Sequence, residues 1–270
     1  MPLQYLIGNQ PFGALEILCE KGVLIPRPET ESITHHLAKI VSDRSVSLGH
    51  LRILDLCSGT GCISLLLHHL LARRFPYLEI LGLDVSSIAV KLANKNLDHN
   101  VACGTLFRKA RRDVRFEKAD ILATNEPALN QPWDILVANP PYISPQSFLR
   151  DTERSVRKYE PTVALVPPSC GQSDQAIGDS FYPQLLHTAN RIQPSLLLVE
   201  VADMAQAIRV TECALKEGRW ENCEIWRDWL EANHETHEHV MIGDKVINVR
   251  GFGNGRAVFL KSYTGYSQQS

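Results

Sequence analysis

From Leu51 onward, short apolar runs of strand character alternate with stretches whose apolar residues fall at helical spacing. This alternation confines the chain to a mostly parallel sheet with helices on both faces, because parallel neighbours need a crossover long enough to hold a helix. Ile53 to Leu56 reads as a strand and Cys62 to Arg74 as the helix after it. Ile80 to Asp84 follows as the next strand, then a helix over Ile88 to Asn100 that Ser86 or Ser87 would cap. Arg115 to Lys118, Asp134 to Ala138 and Leu196 to Val201 supply three more strands, the last apolar enough to be buried on both faces. Glu224 to Trp229 and Arg256 to Lys261 are expected to close the sheet as an antiparallel hairpin. The expected class is α/β, a Rossmann-like seven-stranded sheet.

Residues 1–23 are expected to form a small β-hairpin and linker, since Gly8, Gly13 and Gly22 punctuate short apolar groups, and residues 24–270 the catalytic domain. Pro28, Glu29 and Glu31 suit the first turn of a helix running to Val41. The segments Arg108 to Asp113, Thr124 to Pro132 and Asn233 to Asp244 read as polar loops. With a net charge of −2, the chain has no general pull toward phosphate backbones or anionic membranes, so a nucleic-acid substrate is disfavoured. The longest apolar run, Ile63 to Leu71, is broken by His68 and His69, and no membrane span is expected. Met1 to Tyr5 does not read as a targeting segment. The cysteines Cys19, Cys57, Cys62, Cys103, Cys170, Cys213 and Cys223 form no CxxC pair and are expected to be reduced thiols.

Three acidic positions define a candidate nucleotide cleft. Asp55-Leu56-Cys57-Ser58-Gly59-Thr60-Gly61-Cys62 joins a strand to a helix, where small residues let backbone N–H groups and the helix N-terminus approach a ligand. Asp84, with Val85 and Ser86 behind it, ends the next strand, where a carboxylate can hold a ribose diol. Asp120 follows the third strand; it would accept from an adenine amino group while Ile121 packs on the ring, although a helix cap explains Asp120 alone equally well.

Asn139-Pro140-Pro141-Tyr142 then ends the fourth strand. Two prolines cannot continue a hydrogen-bonded ladder, so the strand stops at a rigid, acceptor-rich corner. An amide or aromatic amino nitrogen is a poor nucleophile because its lone pair is delocalised. The Asn139 side-chain oxygen and the Pro140 carbonyl would each accept one N–H, turning that lone pair toward an electrophilic methyl, with Tyr142 against the planar group. No metal is required.

These residues resemble the HemK/PrmC family of glutamine N5-methyltransferases that act on class 1 peptide-chain release factors. The resemblance runs through Leu24-Ile25-Pro26-Arg27-Pro28-Glu29-Thr30-Glu31, Ile53 to Gly61, Asn139 to Tyr142 and Tyr159 to Leu165. It implies a class I S-adenosylmethionine-dependent methyltransferase fold, S-adenosyl-L-methionine as cofactor and S-adenosyl-L-homocysteine as product. The implied substrate is the glutamine of a Gly-Gly-Gln loop. By the same resemblance Ser58, Gly59, Thr60 and Gly61 cradle the methionine end, Asp84 the ribose, and Asp120 and Ile121 the adenine. Pro26, Arg27, Glu29 and Thr30 wall the substrate site and Glu160 supports it.

Departures from the family are informative. Its first loop glycine is Cys57 here, tolerable only where that position needs no positive φ. Its helical N-terminal domain has no counterpart before Met1, so a truncated or reduced member is expected. The stretch from Trp220 to Asp244 is longer than in compact bacterial members, which favours a eukaryotic, mitochondrial-matrix enzyme over a cytoplasmic one. A monomer is expected.

Two other readings compete: an adenine N6-methyltransferase on DNA or RNA, which would need a basic face and a target-recognition region, and an inactive cofactor-binding adaptor, against which an intact Asn139 and Tyr142 argue. An NAD-dependent dehydrogenase has no use for the Asn-Pro-Pro-Tyr corner. His234, His237 and His239 lack a second ligand set for a metal. Arg108, Lys109, Arg111, Arg112 and Arg115 read as a solvated loop, with a contact to an acidic release-factor surface or RNA as the alternative, and Trp220, Trp226 and Trp229 as edge packing rather than a base-stacking platform.

Overall fold

The computed structural model describes residues 1–43, 49–123, 126–168, 173–230 and 238–262. The chain opens with helix α1 (Leu3–Ile7), then a hairpin of β1 (Asn9–Phe12) and β2 (Leu15–Leu18), then helix α2 (Pro28–Asp43). The alternating core follows as β3 (His50–Leu56), α3 (Cys62–Leu71), β4 (Tyr77–Asp84), α4 (Ser87–Ala102), β5 (Val114–Lys118), β6 (Ile135–Ala138) and β7 (Leu196–Glu200). It ends with β8 (Trp220–Trp229), β9 (Glu238–Ile242), β10 (Lys245–Arg250) and β11 (Phe252–Ser262).

The main sheet has nine strands in the order β5-β4-β3-β6-β7-β11-β8-β10-β9. Strands β5 through β7 of this order run parallel, and β11 is antiparallel to both β7 and β8. The expected seven-stranded count is therefore corrected: β9 and β10 pair antiparallel with each other, and β10 adds to the edge of β8. They lie between β8 and β11 in the chain, so those two strands are neighbours but not a hairpin. The polar stretch expected as a loop contains β9, of which only Ile242 is buried. In β10, Ile247 and Val249 alternate inward.

Strand alternation divides the core. Ile53, Ile80, Val137 and Leu198 face one layer, while Leu54, Leu81, Leu136, Leu197 and Val199 face the other. Each such side chain contributes about 1.5–3 kcal/mol by leaving water.

The N-terminal hairpin is joined to α4 by two asparagines one turn apart. Asn96 Oδ1 accepts the Leu18 N–H at 2.7 Å and Asn100 Oδ1 accepts that of Glu16 at 3.1 Å, so side-chain amides satisfy the open edge of β2. The same Asn96 donates to the Thr60 carbonyl at 3.0 Å, which ties the hairpin to the turn after β3.

Further differences from the sequence expectations are local. Leu3–Ile7 is helical, ending at Gly8 with φ 92°, rather than part of the hairpin. Its apolar residues are exposed and so give no core-facing stripe. Ala110–Asp113 forms one helical turn, and the basic residues around it are neutralised locally, Arg111 by Asp98, Arg112 by Asp113 and Arg115 by Glu79. The expected edge packing is corrected for Trp226, which is buried in the core on the interior strand β8 and stacks on Phe259 at 4.7 Å; Trp220 is also buried, and Trp229 is exposed. His234 and His237 lie outside the described residues, among which no group of metal-ligating side chains occurs.

Candidate active site

The chain proceeds from β3 outward through β4 and β5, then returns to lay β6 and β7 on the other side of β3. The crevice at this reversal, beyond the C-terminal strand ends, is where open α/β sheets bind ligands. A cleft of about 240 Å³ lies there, between the turn after β3, Asp84 at the end of β4, Asp120 after β5 and Asn139 after β6.

The turn is shaped by three positive-φ residues. Gly59 and Gly61 have φ of 54° and 78°, and Cys57 has φ of 62°. The non-glycine residue thus does occupy the left-handed region, contrary to the condition under which the substitution looked harmless, at a strain of about 1–2 kcal/mol. Close packing also demands glycine here: a Cβ on Gly61 would stand 2.6 Å from Phe116 Cζ, and one on Gly82 in β4 would stand 2.5 Å from Phe116 Cδ1.

Asp84 accepts from the Gly59 N–H at 2.9 Å and the Ser86 N–H at 2.8 Å. Burial raises its pKa, and these two backbone donors oppose the shift. Asp55 is fully buried and does not line the cleft; its Oδ2 takes the Ser64 hydroxyl at 2.6 Å while Oδ1 has no partner. Desolvation pushes its carboxyl up to about 7, against the Ser64 bonds. The Ser58 hydroxyl, on the cleft wall, is likewise buried without a partner. Asp120 is exposed at the cleft and accepts the Leu122 N–H at 3.0 Å, a local turn that leaves its other oxygen for a ligand.

Around Asn139 the polar groups form a directed chain. Asn139 Nδ2 lies 3.5 Å from Thr30 Oγ1, and the Thr30 hydroxyl donates to Glu200 Oε2 at 2.7 Å. The Tyr142 hydroxyl donates to Glu200 Oε1 at 3.0 Å. Burial raises the Tyr142 pKa, and the Glu200 carboxylate adds to it. Gln206 supports the corner by donating to the Tyr142 carbonyl at 3.2 Å.

The opposite wall is a strap, Gly22 to Arg27. Glu160 holds it from behind, accepting from the Ile25 N–H at 3.1 Å and from Arg27 Nη2 at 2.8 Å. Tyr5 donates to the Val23 carbonyl and Gln10 to that of Pro26, each at 2.6 Å, so the N-terminal elements brace the cleft.

Of the residues singled out from sequence, Pro26, Arg27, Thr30, Cys57 to Thr60, Asp84, Val85, Ser86, Asp120, Ile121, Asn139 and Pro141 line the cleft. Asp55, Glu29, Gly61, Pro140, Tyr142 and Glu160 do not. Glu160 is a brace for the strap, and Tyr142 points its hydroxyl into the Glu200 pair. Glu200 and Gln206 went unrecognised in the sequence. An acid closing a strand at the same sheet edge as Asp55 and Asp84 was the available signal for Glu200.

A methyltransferase small domain model matches residues 34–156. The chain is 36% identical over 224 residues to a Schizosaccharomyces pombe protein named "Probable MRF1 mitochondrial N(5)-glutamine methyltransferase mtq1", covering 82% of this chain and 69% of that one. The chain belongs to the HemK/PrmC family of glutamine N5-methyltransferases. Other members include the mitochondrial MRF1 N(5)-glutamine methyltransferase MTQ1 of Saccharomyces cerevisiae, 38% identical over 62% of this chain and 50% of that protein. The release factor glutamine methyltransferase of Chlorobaculum tepidum is 35% identical over 65% of this chain and 56% of its own length. The chain thus spans about half the length of these two HemK/PrmC relatives.

The family fold is that of class I S-adenosylmethionine-dependent methyltransferases. The human METTL16 catalytic domain, solved with an RNA hairpin, superposes with a TM-score of 0.56 at 15% identity, covering 97% of this chain and 78% of that one. The METTL16 N-terminal domain in complex with SAH gives 0.52 at 14% identity, covering 94% and 77%. At such identities the likeness concerns the fold alone.

Proposed function

We propose that this chain is an S-adenosylmethionine-dependent methyltransferase that modifies the side-chain nitrogen of the glutamine in the Gly-Gly-Gln loop of a class 1 release factor. The observation that carries this reading is the placement of Asn139 on the wall of the cleft that Asp84 and the glycine turn also line. Its Nδ2 is turned to Thr30, which leaves Oδ1 as an acceptor for a substrate N–H.

The cleft fits the cofactor on its own chemistry. Asp84 can accept from a ribose diol, and Asp120 has a free carboxylate oxygen for an adenine amino group. The orphaned Ser58 hydroxyl on the cleft wall is a polar atom suited to the charged methionine end, whereas Asp55, buried behind the turn, supports the turn through Ser64. When bound, S-adenosylmethionine supplies an electrophilic methyl on a sulfonium sulfur.

This chain's residues would do the rest by positioning. Asn139 Oδ1, on the cleft wall, accepts one N–H of the glutamine amide, and the Pro140 carbonyl, outside the cleft lining but between the lining residues Asn139 and Pro141, accepts the other as the substrate docks, which turns the nitrogen lone pair out of conjugation. The rigid prolines fix the spacing of those two acceptors. The nitrogen gains the methyl and gives up one proton; the cationic product nitrogen is acidic enough to need no dedicated strong base.

The mitochondrial relatives support a matrix location, and no helix among the described residues is long and apolar enough to cross a membrane. The test is transfer from labelled S-adenosylmethionine to a recombinant class 1 release factor, with duplex DNA competing. Label on the release factor that disappears when its Gly-Gly-Gln glutamine becomes alanine supports the proposal. Label on DNA rejects it.

A further inference from the structure

Glu200 ends β7 with 2% of its surface exposed and takes no part in lining the cleft. Both of its oxygens are nevertheless committed to groups that belong to the site. Oε2 takes the Thr30 hydroxyl and Oε1 the Tyr142 hydroxyl. An ionised carboxylate can only accept, so each hydroxyl must spend its single hydrogen on Glu200.

The consequence lies one step further along. Once its hydrogen is given to Glu200, Thr30 Oγ1 can serve Asn139 only as an acceptor. It therefore selects the amide end with hydrogens, Nδ2, which is the atom facing it at 3.5 Å. Oδ1 is left for a ligand. An asparagine amide is nearly symmetric in shape, and its orientation is decided by such partners. A flipped Asn139 would present N–H to a substrate N–H and have no acceptor to offer. The long contact to Thr30 is of the kind that tightens when a site fills.

We propose that Glu200, acting through Thr30, is a positioning residue that sets the orientation of the Asn139 amide, while its other oxygen anchors Tyr142. This deepens, and rests on, the proposed transfer to an amide nitrogen. Burial pushes the Glu200 carboxyl above its ordinary range; the bond from Thr30, the charge of Arg256 in β11 and the bond from Tyr142 oppose that shift and favour the acceptor-only carboxylate, whereas Glu29 adds to it. Arg256 is itself fixed by Asp228 at 2.7 Å. Glutamine at position 200 would preserve size but bring a donor, so the direction of the whole chain would no longer be defined.

Three variants separate orientation from mere packing. Thr30→Val keeps the shape and removes the hydroxyl, Thr30→Ser keeps the hydroxyl, and Glu200→Gln keeps the volume. In transfer to the release factor, Thr30→Val and Glu200→Gln are expected to lose about 10²-fold in kcat, the scale of one misplaced polar group in a preorganised site. Cofactor Kd should be unchanged, and Thr30→Ser should retain most of the rate. The Asn139 side-chain amide resonances in isotope-labelled protein read the same orientation without substrate: slowly exchanging in wild type and Thr30→Ser, fast in Thr30→Val and Glu200→Gln. Wild-type kcat and unchanged amide exchange in Thr30→Val would overturn the inference, as would equal losses in the Ser and Val variants. A wild-type enzyme that transfers nothing to the release factor yet shows the amide pattern would reject the proposed function and leave the Glu200 role standing.

Discussion

Gly59 donates its backbone N–H to Asp84 across 2.9 Å, so the acid at the end of β4 and the turn after β3 form one hydrogen-bonded unit. Asp84 also receives the Ser86 N–H, which begins the capping of α4. Replacing Asp84 with alanine should therefore weaken cofactor binding by about 1.5–3 kcal/mol for each charge-assisted bond lost. Calorimetric titration with S-adenosylhomocysteine reads this directly. An unaltered Kd would reject the assignment of Asp84 to the ribose.

Cys57 holds a left-handed conformation at φ 62° in the same turn. Glycine adopts that region without a Cβ penalty, while its freer unfolded chain takes back part of the gain. Cys57→Gly is expected to raise stability by about 0.5–1 kcal/mol. Denaturant unfolding with an unchanged m-value would register it; a destabilised variant would mean that Cys57 packing against the core outweighs the strain.

The sheet was legible because β3, β4, β6 and β7 each carry a compact apolar run that only a buried strand satisfies, because Val114 and Phe116 alternate with charged residues in β5, and because acids and glycines fall near the strand ends. The late strands were harder to read. β9 buries one residue and β10 two, so neither shows an apolar run, and their pairing depends on β8 already being in place. The site shows the same division. Cys57 to Thr60, Asp84 and Asn139 sit in motifs whose spacing carries their role, whereas Glu200 acts through residues 170 and 58 positions away in the chain. Asn96 is likewise an ordinary helical polar residue until the fold brings Leu18 and Thr60 to it.

Asn96 is fully buried and bonds the N–H of Leu18 and the carbonyl of Thr60, joining hairpin to turn. Asn96→Leu would leave those backbone groups unpaired in the interior, at about 1–3 kcal/mol each. The expected result is a lower unfolding temperature together with weaker cofactor binding. A fall in stability with cofactor affinity intact would separate the hairpin from the site.

Asp55 carries a pH signature. Burial raises its carboxyl from 3.8 in the unfolded chain to about 7 in the fold. Between those values the native state keeps a proton that the unfolded state has released. Its contribution is complete below the lower value and is lost as pH rises toward the upper one, at no more than about 1.4 kcal/mol per pH unit. Asp55→Asn keeps an acceptor for Ser64 without titrating, so its stability should fall less than wild type across that range. Parallel pH profiles of unfolding free energy for the two proteins would refute this account of Asp55.

The most direct test of the central claim is to find the methylated atom. Peptide mass spectrometry of a class 1 release factor, after incubation with S-adenosylmethionine and either wild type or Asn139→Ala, locates the added methyl. One methyl is expected on the side-chain nitrogen of the Gly-Gly-Gln glutamine with wild type, and none with Asn139→Ala despite retained cofactor binding. A methyl on any other atom, or equal modification by both proteins, would contradict that claim.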